Sequence, residues 1–194
     1  LVSDVSISNL KFTYNDNTLL PVNDYFSDPA SAWSGKTTID LNGTLNATVE
    51  NVTIELPESN GLRVNRSYGA TLSDVTVLGA QSRVAGNGYH FIIEEAFNTT
   101  ATGLKSLDYS TNGGARHSLL FSADHAEHYN HIQFEEATRD INFHGSLDTG
   151  NYIVIEKFDY SSMPGVIRVK PTLENPAVPG EVYAETSDIW NLIH

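Results

Sequence analysis

The stretch Asn51-Val52-Thr53-Ile54-Glu55-Leu56-Pro57-Glu58-Ser59-Asn60-Gly61-Leu62-Arg63-Val64 decides how the rest of the chain is read. It holds two short runs in which apolar and polar residues alternate, the mark of a half-buried strand. Between them stands Ser59-Asn60-Gly61, whose residue types suit a turn. The pair then returns along the chain. The first run comes back as Asp74-Val75-Thr76-Val77, Gly103-Leu104-Lys105-Ser106, Asn130-His131-Ile132-Gln133-Phe134 and Asn151-Tyr152-Ile153-Val154-Ile155, each led by Asn, Asp or Gly. The second comes back as Gly88-Tyr89-His90-Phe91, Arg116-His117-Ser118-Leu119, Asn142-Phe143-His144-Gly145 and Gly165-Val166-Ile167-Arg168.

Steps within each series run from about 21 to 29 residues, and no helical periodicity intervenes. Such a period is the signature of a solenoid. One coil cannot bury its own apolar face, but stacked coils make a continuous core, with parallel strands about 4.8 Å apart. An antiparallel sandwich also has short, evenly spaced strands. The solenoid is preferred because like residues recur at like positions, which a sandwich does not need. The expectation is an all-β right-handed parallel β-helix of about five to six coils over residues 47–170. Residues 1–46 are read as an N-terminal strand and a long loop leading into it, and 171–194 as an irregular, Pro-rich tail or cap.

The repeated Asn-Val-Thr-Ile and Asp-Val-Thr-Val units, with their Gly-led second strands, resemble right-handed parallel β-helix proteins of the pectate-lyase-like kind. The Arg116-His117-Ser118 and Phe143-His144-Gly145 pair looks most like phage tail spikes and fibres and bacterial polysaccharide-active members of that group. The resemblance spans about residues 47–170 and is a likeness of fold, which hosts many functions. It implies carbohydrate as the partner and an oligomer, typically a trimer, in an extracellular or virion setting. A complete β-helix of this kind has more coils and capped ends, so the chain is read as a piece of a longer protein or as a subunit of an assembly.

Composition narrows the function classes. The net charge of −13 opposes nucleic-acid backbones and anionic membranes. No apolar run approaches the roughly 20 residues of a membrane span. There is no Cys, which removes disulfides and thiolate chemistry. Sequons at Asn42, Asn46, Asn51, Asn65 and Asn98 are expected by chance in a sequence this rich in Asn and Thr.

Arg63, His90, His117 and His144 lie 27 residues apart, each in a short apolar run. If the coils stack in that register, the four form one column, with neighbours about 5 Å apart. Such a column either packs structurally or makes a cationic, proton-transferring groove. A lyase or C5-epimerase acting on a uronate needs a base for the proton alpha to the carboxylate and a cation for the enolate-like intermediate. His117, His144 and His90 are candidate bases, Arg116 and Arg63 candidate carboxylate partners, and Tyr89 a candidate acid. A glycoside hydrolase would instead need paired carboxylates, for which Glu94, Glu95, Asp124 and Asp140 are available. The run Asp124-His125-Ala126-Glu127-His128-Tyr129-Asn130-His131 is rich in metal-capable side chains, but its spacing fits no zinc motif. No cofactor is expected beyond a weak case for a divalent cation.

The leading expectation is therefore a tail-spike or tail-fibre-like module that binds, and in an enzymatic version depolymerises, host surface polysaccharide. The alternatives are a secreted polysaccharide lyase or epimerase using the His/Arg ladder, and a non-catalytic structural or adhesive solenoid.

Overall fold

The computed structural model describes residues 1–14, 36–81, 88–108, 115–121, 129–139, 141–143 and 151–157. Thirteen strands and no helix occur among them. The strands are β1 (Val2–Ser3), β2 (Ser6–Thr13), β3 (Thr37–Asn42), β4 (Thr44–Leu45), β5 (Thr48–Glu55), β6 (Asn60–Asn65) and β7 (Thr71–Leu78). They continue with β8 (Tyr89–Glu94), β9 (Thr100–Leu107), β10 (His117–Phe121), β11 (His131–Ala137), β12 (Ile141–Phe143) and β13 (Tyr152–Ile155).

Every pairing is parallel. One sheet runs in the order β13-β11-β9-β7-β5-β2, a second runs β12-β10-β8-β6-β3, and β1 pairs with β4. Bridges from Leu45 to Tyr68 and from Tyr68 to Phe97 carry the narrow β1–β4 face onward through two further turns of chain. The described parts of the two sequence series separate onto the two large sheets: Asn51–Ile54 and its echoes lie in the six-stranded one, Gly61–Val64 and its described echoes in the five-stranded one. The chain thus alternates between sheets, an order compatible with a β-solenoid. Strands ahead of residue 47 already belong to the stacks, since β2 pairs with β5 and β3 with β6. The segment 165–168 and the tail from 171 lie outside the described residues.

Apolar columns run through the space between the sheets. Ile7, Val49, Leu72, Ala101, Ile132 and Ile153 stand in register on one side. Ile39, Leu62, Phe91, Leu119 and Ile141 do so on the other. All but Ile7 are buried, and Ile7 packs against the cluster from the first coil. Removing a side chain of this size from water is worth about 1.5–3 kcal/mol, so the stack is held by its columns.

The Asn, Asp or Gly that leads the first-series runs at 51, 74 and 103 has a backbone reason. Asn9, Asn51, Asp74 and Gly103 occupy one column, and all four have left-handed φ, at 57, 52, 54 and 64°. This kink in mid-strand turns two consecutive residues outward, as with exposed Glu50 and Asn51, before Val52 turns back into the core. Asn and Asp tolerate that conformation better than other residues with a Cβ, and Gly adopts it freely. The Asn51 side-chain amide donates to Asn9 Oδ1 at 2.8 Å, so the kinks are also joined between coils.

Candidate functional site

Tyr89 and His117 are cross-strand partners on β8 and β10. Their rings stack with centroids 5.4 Å apart and planes 11° from parallel. Arg116, next in sequence, holds its guanidinium carbon 5.7 Å from the Tyr89 ring centroid. Its backbone N–H donates to the Gly88 carbonyl, which fixes the entry to β10. Asn142 on β12 brings its side-chain amide nitrogen to 3.2 Å from His117 Nε2. Three of the expected site residues are therefore together, joined by one, Asn142, that sequence reasoning did not single out. Tyr89, His117 and Asn142 are all buried.

Arg63 and His90 are not in that column. Arg63 pairs with Ile92, which in turn pairs with Leu120, and Leu120 with Asn142. The equal spacing of 27 residues misleads because the coils differ in length. The column Ile39, Leu62, Phe91, Leu119, Ile141 advances by 23, 29, 28 and 22 residues. The expected ladder of Arg63, His90 and His117 is thus not formed. Its intended last member, His144, lies outside the described residues, as does Asp140.

Arg63 instead makes a two-pronged contact with Asp40 of the neighbouring coil, Nε donating to Oδ1 at 3.1 Å and Nη2 to Oδ2. Glu94 stands 3.5 Å from its third nitrogen. The Asp40 hydrogen bonds raise its already high pKa further. An arginine clasped in this way has its charge matched before any substrate carboxylate arrives.

His90 has no solvent exposure. Its Nε2 lies 2.9 Å from the Gly79 carbonyl and its Nδ1 2.8 Å from Ser106 Oγ. Burial pushes its pKa down to about 4; Asp108 and the Gly79 carbonyl oppose that, and Arg139 adds to it. The ring is therefore neutral at ordinary pH. A carbonyl can only accept, so the single ring proton sits on Nε2, and Ser106 donates to Nδ1. Ser118 Oγ, 2.6 Å from Ser106 Oγ, accepts the Arg139 backbone N–H. The Arg139 guanidinium closes the cluster by pairing with Asp108, Nε to Oδ1 at 2.9 Å and Nη2 to Oδ2 at 2.7 Å, both side chains being buried. Hydrogen bonds of this kind offset the burial of polar groups; Arg139 Nη2 meets Asp108 through charge alone. Sequence reading missed this network, because Ser106 and Asp108, at and just past the end of β9, meet Ser118 and Arg139 only when the coils stack.

Of the acidic candidates, Glu94 faces Arg63 and Glu95 accepts from Arg66 Nε at 3.0 Å; Asp124 lies outside the described residues. Among the described residues no group of three or more His, Asp or Glu could hold a metal ion. His131, the described end of the metal-capable run, packs edge-on against Tyr152 at 4.7 Å.

Comparison with protein-family models finds no match, and neither the curated proteins nor the solved structures contain one.

Proposed function

We propose that this chain is a length of right-handed parallel β-helix, of about five to six coils, that engages polysaccharide by adhesion and not by catalysis, as a module of a phage tail spike or fibre would. The single observation that carries the non-catalytic half is His90. A base must meet its substrate and hold a free lone pair near neutral pH. His90 is sealed from solvent, and both its nitrogens are used inside the stack. Arg63, one of the two candidate carboxylate partners, is matched by Asp40 and Glu94. One candidate base and one candidate carboxylate partner of a uronate lyase are thus committed to the fold itself.

The handedness follows from a general rule. Parallel strands joined by a crossover are right-handed in about 98% of cases, because a right-twisted strand packs back onto its sheet only that way. The carbohydrate partner, the extracellular or virion setting and a trimeric assembly rest on the resemblance to pectate-lyase-like β-helices.

A lyase reading retains one observation in its favour: Tyr89, Arg116 and His117 do converge. The test is ultraviolet absorbance and product size after incubation with acidic and neutral bacterial polysaccharides, for the wild type and for His117→Ala. Binding without an unsaturated or shortened product supports the adhesive reading. Cleavage that His117→Ala abolishes would replace it with the lyase.

A further inference from the structure

The exposed aromatic side chains of the described residues gather on one narrow face. Tyr68 is 53% exposed, Phe97 37% and Tyr129 67%, and the other large exposed apolar residues, Leu1, Val2 and Leu10, belong to the first coil. Leu45, Tyr68 and Phe97 are bridged in register on three successive turns of chain, which sets neighbouring backbones about 4.8 Å apart. By the register of Thr100 with His131, Tyr129 stands one coil on from Asn98, beside the same column.

The platform under these rings is fixed. Tyr68 N–H donates to the Thr44 carbonyl and Phe97 N–H to the Ser67 carbonyl, both at 3.0 Å. The buried Ser67 hydroxyl accepts the Thr44 N–H at 2.9 Å and lies within 2.9 Å of the Leu41 and Asn65 carbonyls. Tyr129 has a φ of 57°, a left-handed conformation that favours Asn or Gly, and Asn46, Gly69 and Asn98 hold it in the equivalent position of earlier coils. A bulky ring kept where the local backbone prefers Asn is strain, which folds retain where a side chain has a use.

The chemistry beside the ridge is polar and electrically balanced. Ser67 and Ala96 are buried on one side, and exposed Asn46 and Asn98 stand on the other. Arg66 is bound to Glu95.

We infer that Tyr68, Phe97 and Tyr129 form a stacking ridge for successive sugar rings of a neutral polysaccharide, with Asn46 and Asn98 hydrogen-bonding its hydroxyls. This rests on the reading that the chain engages polysaccharide, and it names the site and the ligand class. Flat aromatic faces take the C–H face of a sugar ring, and amide side chains serve its hydroxyls as both donor and acceptor. A ridge one side chain wide falls far short of the roughly 800 Å² per partner of a stable protein interface, whereas a glycan chain is itself narrow. With Arg66 already matched and a net charge of −13, the described residues beside the ridge offer an acidic glycan no spare cation.

The test uses the whole chain and two-dimensional NMR of its aromatic rings. The probes are cellohexaose, mannohexaose, chitohexaose, xylohexaose and a panel of neutral bacterial surface polysaccharides at millimolar concentration, with polygalacturonate as the acidic comparison. Saturable shifts of the Tyr68, Phe97 and Tyr129 rings with at least one neutral saccharide are expected. Tyr68→Ala and Phe97→Ala should each weaken binding about tenfold with far-UV circular dichroism unchanged. Tyr129→Asn should weaken binding while raising the thermal midpoint. Saccharide binding that moves other resonances and ignores these substitutions overturns the ridge and leaves the polysaccharide reading standing. Binding of polygalacturonate alone overturns it on charge. No binding by any saccharide overturns both. Self-association that disappears in Tyr68→Ala makes the ridge a protein contact and overturns it as well.

Discussion

His90 Nδ1 accepts the Ser106 hydroxyl across 2.8 Å in the closed interior, one strand of each large sheet contributing a partner. The imidazole is neutral there, with a pKa lowered from 6.5 to about 4 by burial. In the unfolded chain the ring titrates normally. The unfolded state therefore binds one more proton between about pH 6.5 and about pH 4, and protonation pulls the chain toward unfolding. The stabilisation is full above the unfolded pKa and is lost as pH falls through this window. The slope is about 1.4 kcal/mol per pH unit at its steepest. Urea midpoints at about pH 7.5 and about pH 5 should differ in the wild type, and the difference should shrink in His90→Gln. Equal pH sensitivity in both proteins would place the acid lability elsewhere.

Gly61 looks like an ordinary turn glycine after Asn60, and its neighbours say otherwise. A Cβ at this position would stand 2.4 Å from the His90 carbonyl oxygen and 2.8 Å from a Val77 methyl. Replacing a strand glycine by alanine normally helps by restricting the unfolded chain. Here the obstacle is backbone of the next coil, which cannot swing aside. Gly61→Ala is expected to destabilise by about 1–3 kcal/mol, the range for overpacking, read as a lower urea midpoint at unchanged slope. A gain in stability would mean that the coils can part at this level.

The kinked column gives a graded test. Gly103 has a φ of 64°, and its missing Cβ would sit 2.5 Å from Asp74 Oδ1. Gly103→Ala meets both the left-handed penalty of about 1–2 kcal/mol and that carboxylate. Asn51→Gly loses the hydrogen bond to Asn9 but gains freedom at the same φ, and should change stability by less than about 1 kcal/mol. Asn51→Val should cost more than Asn51→Gly, because a β-branched residue resists positive φ. If Asn51→Val proves neutral by thermal denaturation, the kink is not what fixes the register.

That column explains how much was legible. Asn51, Asp74 and Gly103 meet one backbone requirement in three successive first-series runs, so they appear in the sequence as a pattern, and with them the two sheets and most strands; Asn130 leads its run for another reason, its Oδ1 accepting the Thr99 N–H. The sequons at Asn46, Asn51 and Asn98 fall at left-handed positions for the same reason. The His ladder failed because side-chain identity is free to drift where coil length varies, so an equal count from Arg63 to His90 to His117 is no guide to register. Counting along the apolar column from Leu62 to Phe91 to Leu119 would have paired Tyr89 with His117. The interior network of His90, Ser106, Ser118, Asp108 and Arg139 left no sequence signal, since its members are drawn from several strands and their ends and meet only when the coils stack.

Arg139 and Asp108 form the costliest part of that network. Their side chains are 4% and 8% exposed, and the contact is two-pronged. Taking two charges out of water is offset only while both are present, so removing one leaves the other buried and unmatched, at about 3–5 kcal/mol. Asp108→Ala alone should therefore be severe. Replacing both by apolar residues, as in Arg139→Met with Asp108→Leu, should recover much of the loss, which a double-mutant cycle in urea measures. Asp108 also opposes the lowering of the His90 pKa, while Arg139 adds to it. Asp108→Asn, if it folds, should push the His90 pKa lower still, visible as an imidazole resonance that titrates at more acidic pH than in the wild type. Additive losses in the cycle, with an unmoved His90 titration, would mean that the pair and the histidine act independently despite sharing one interior.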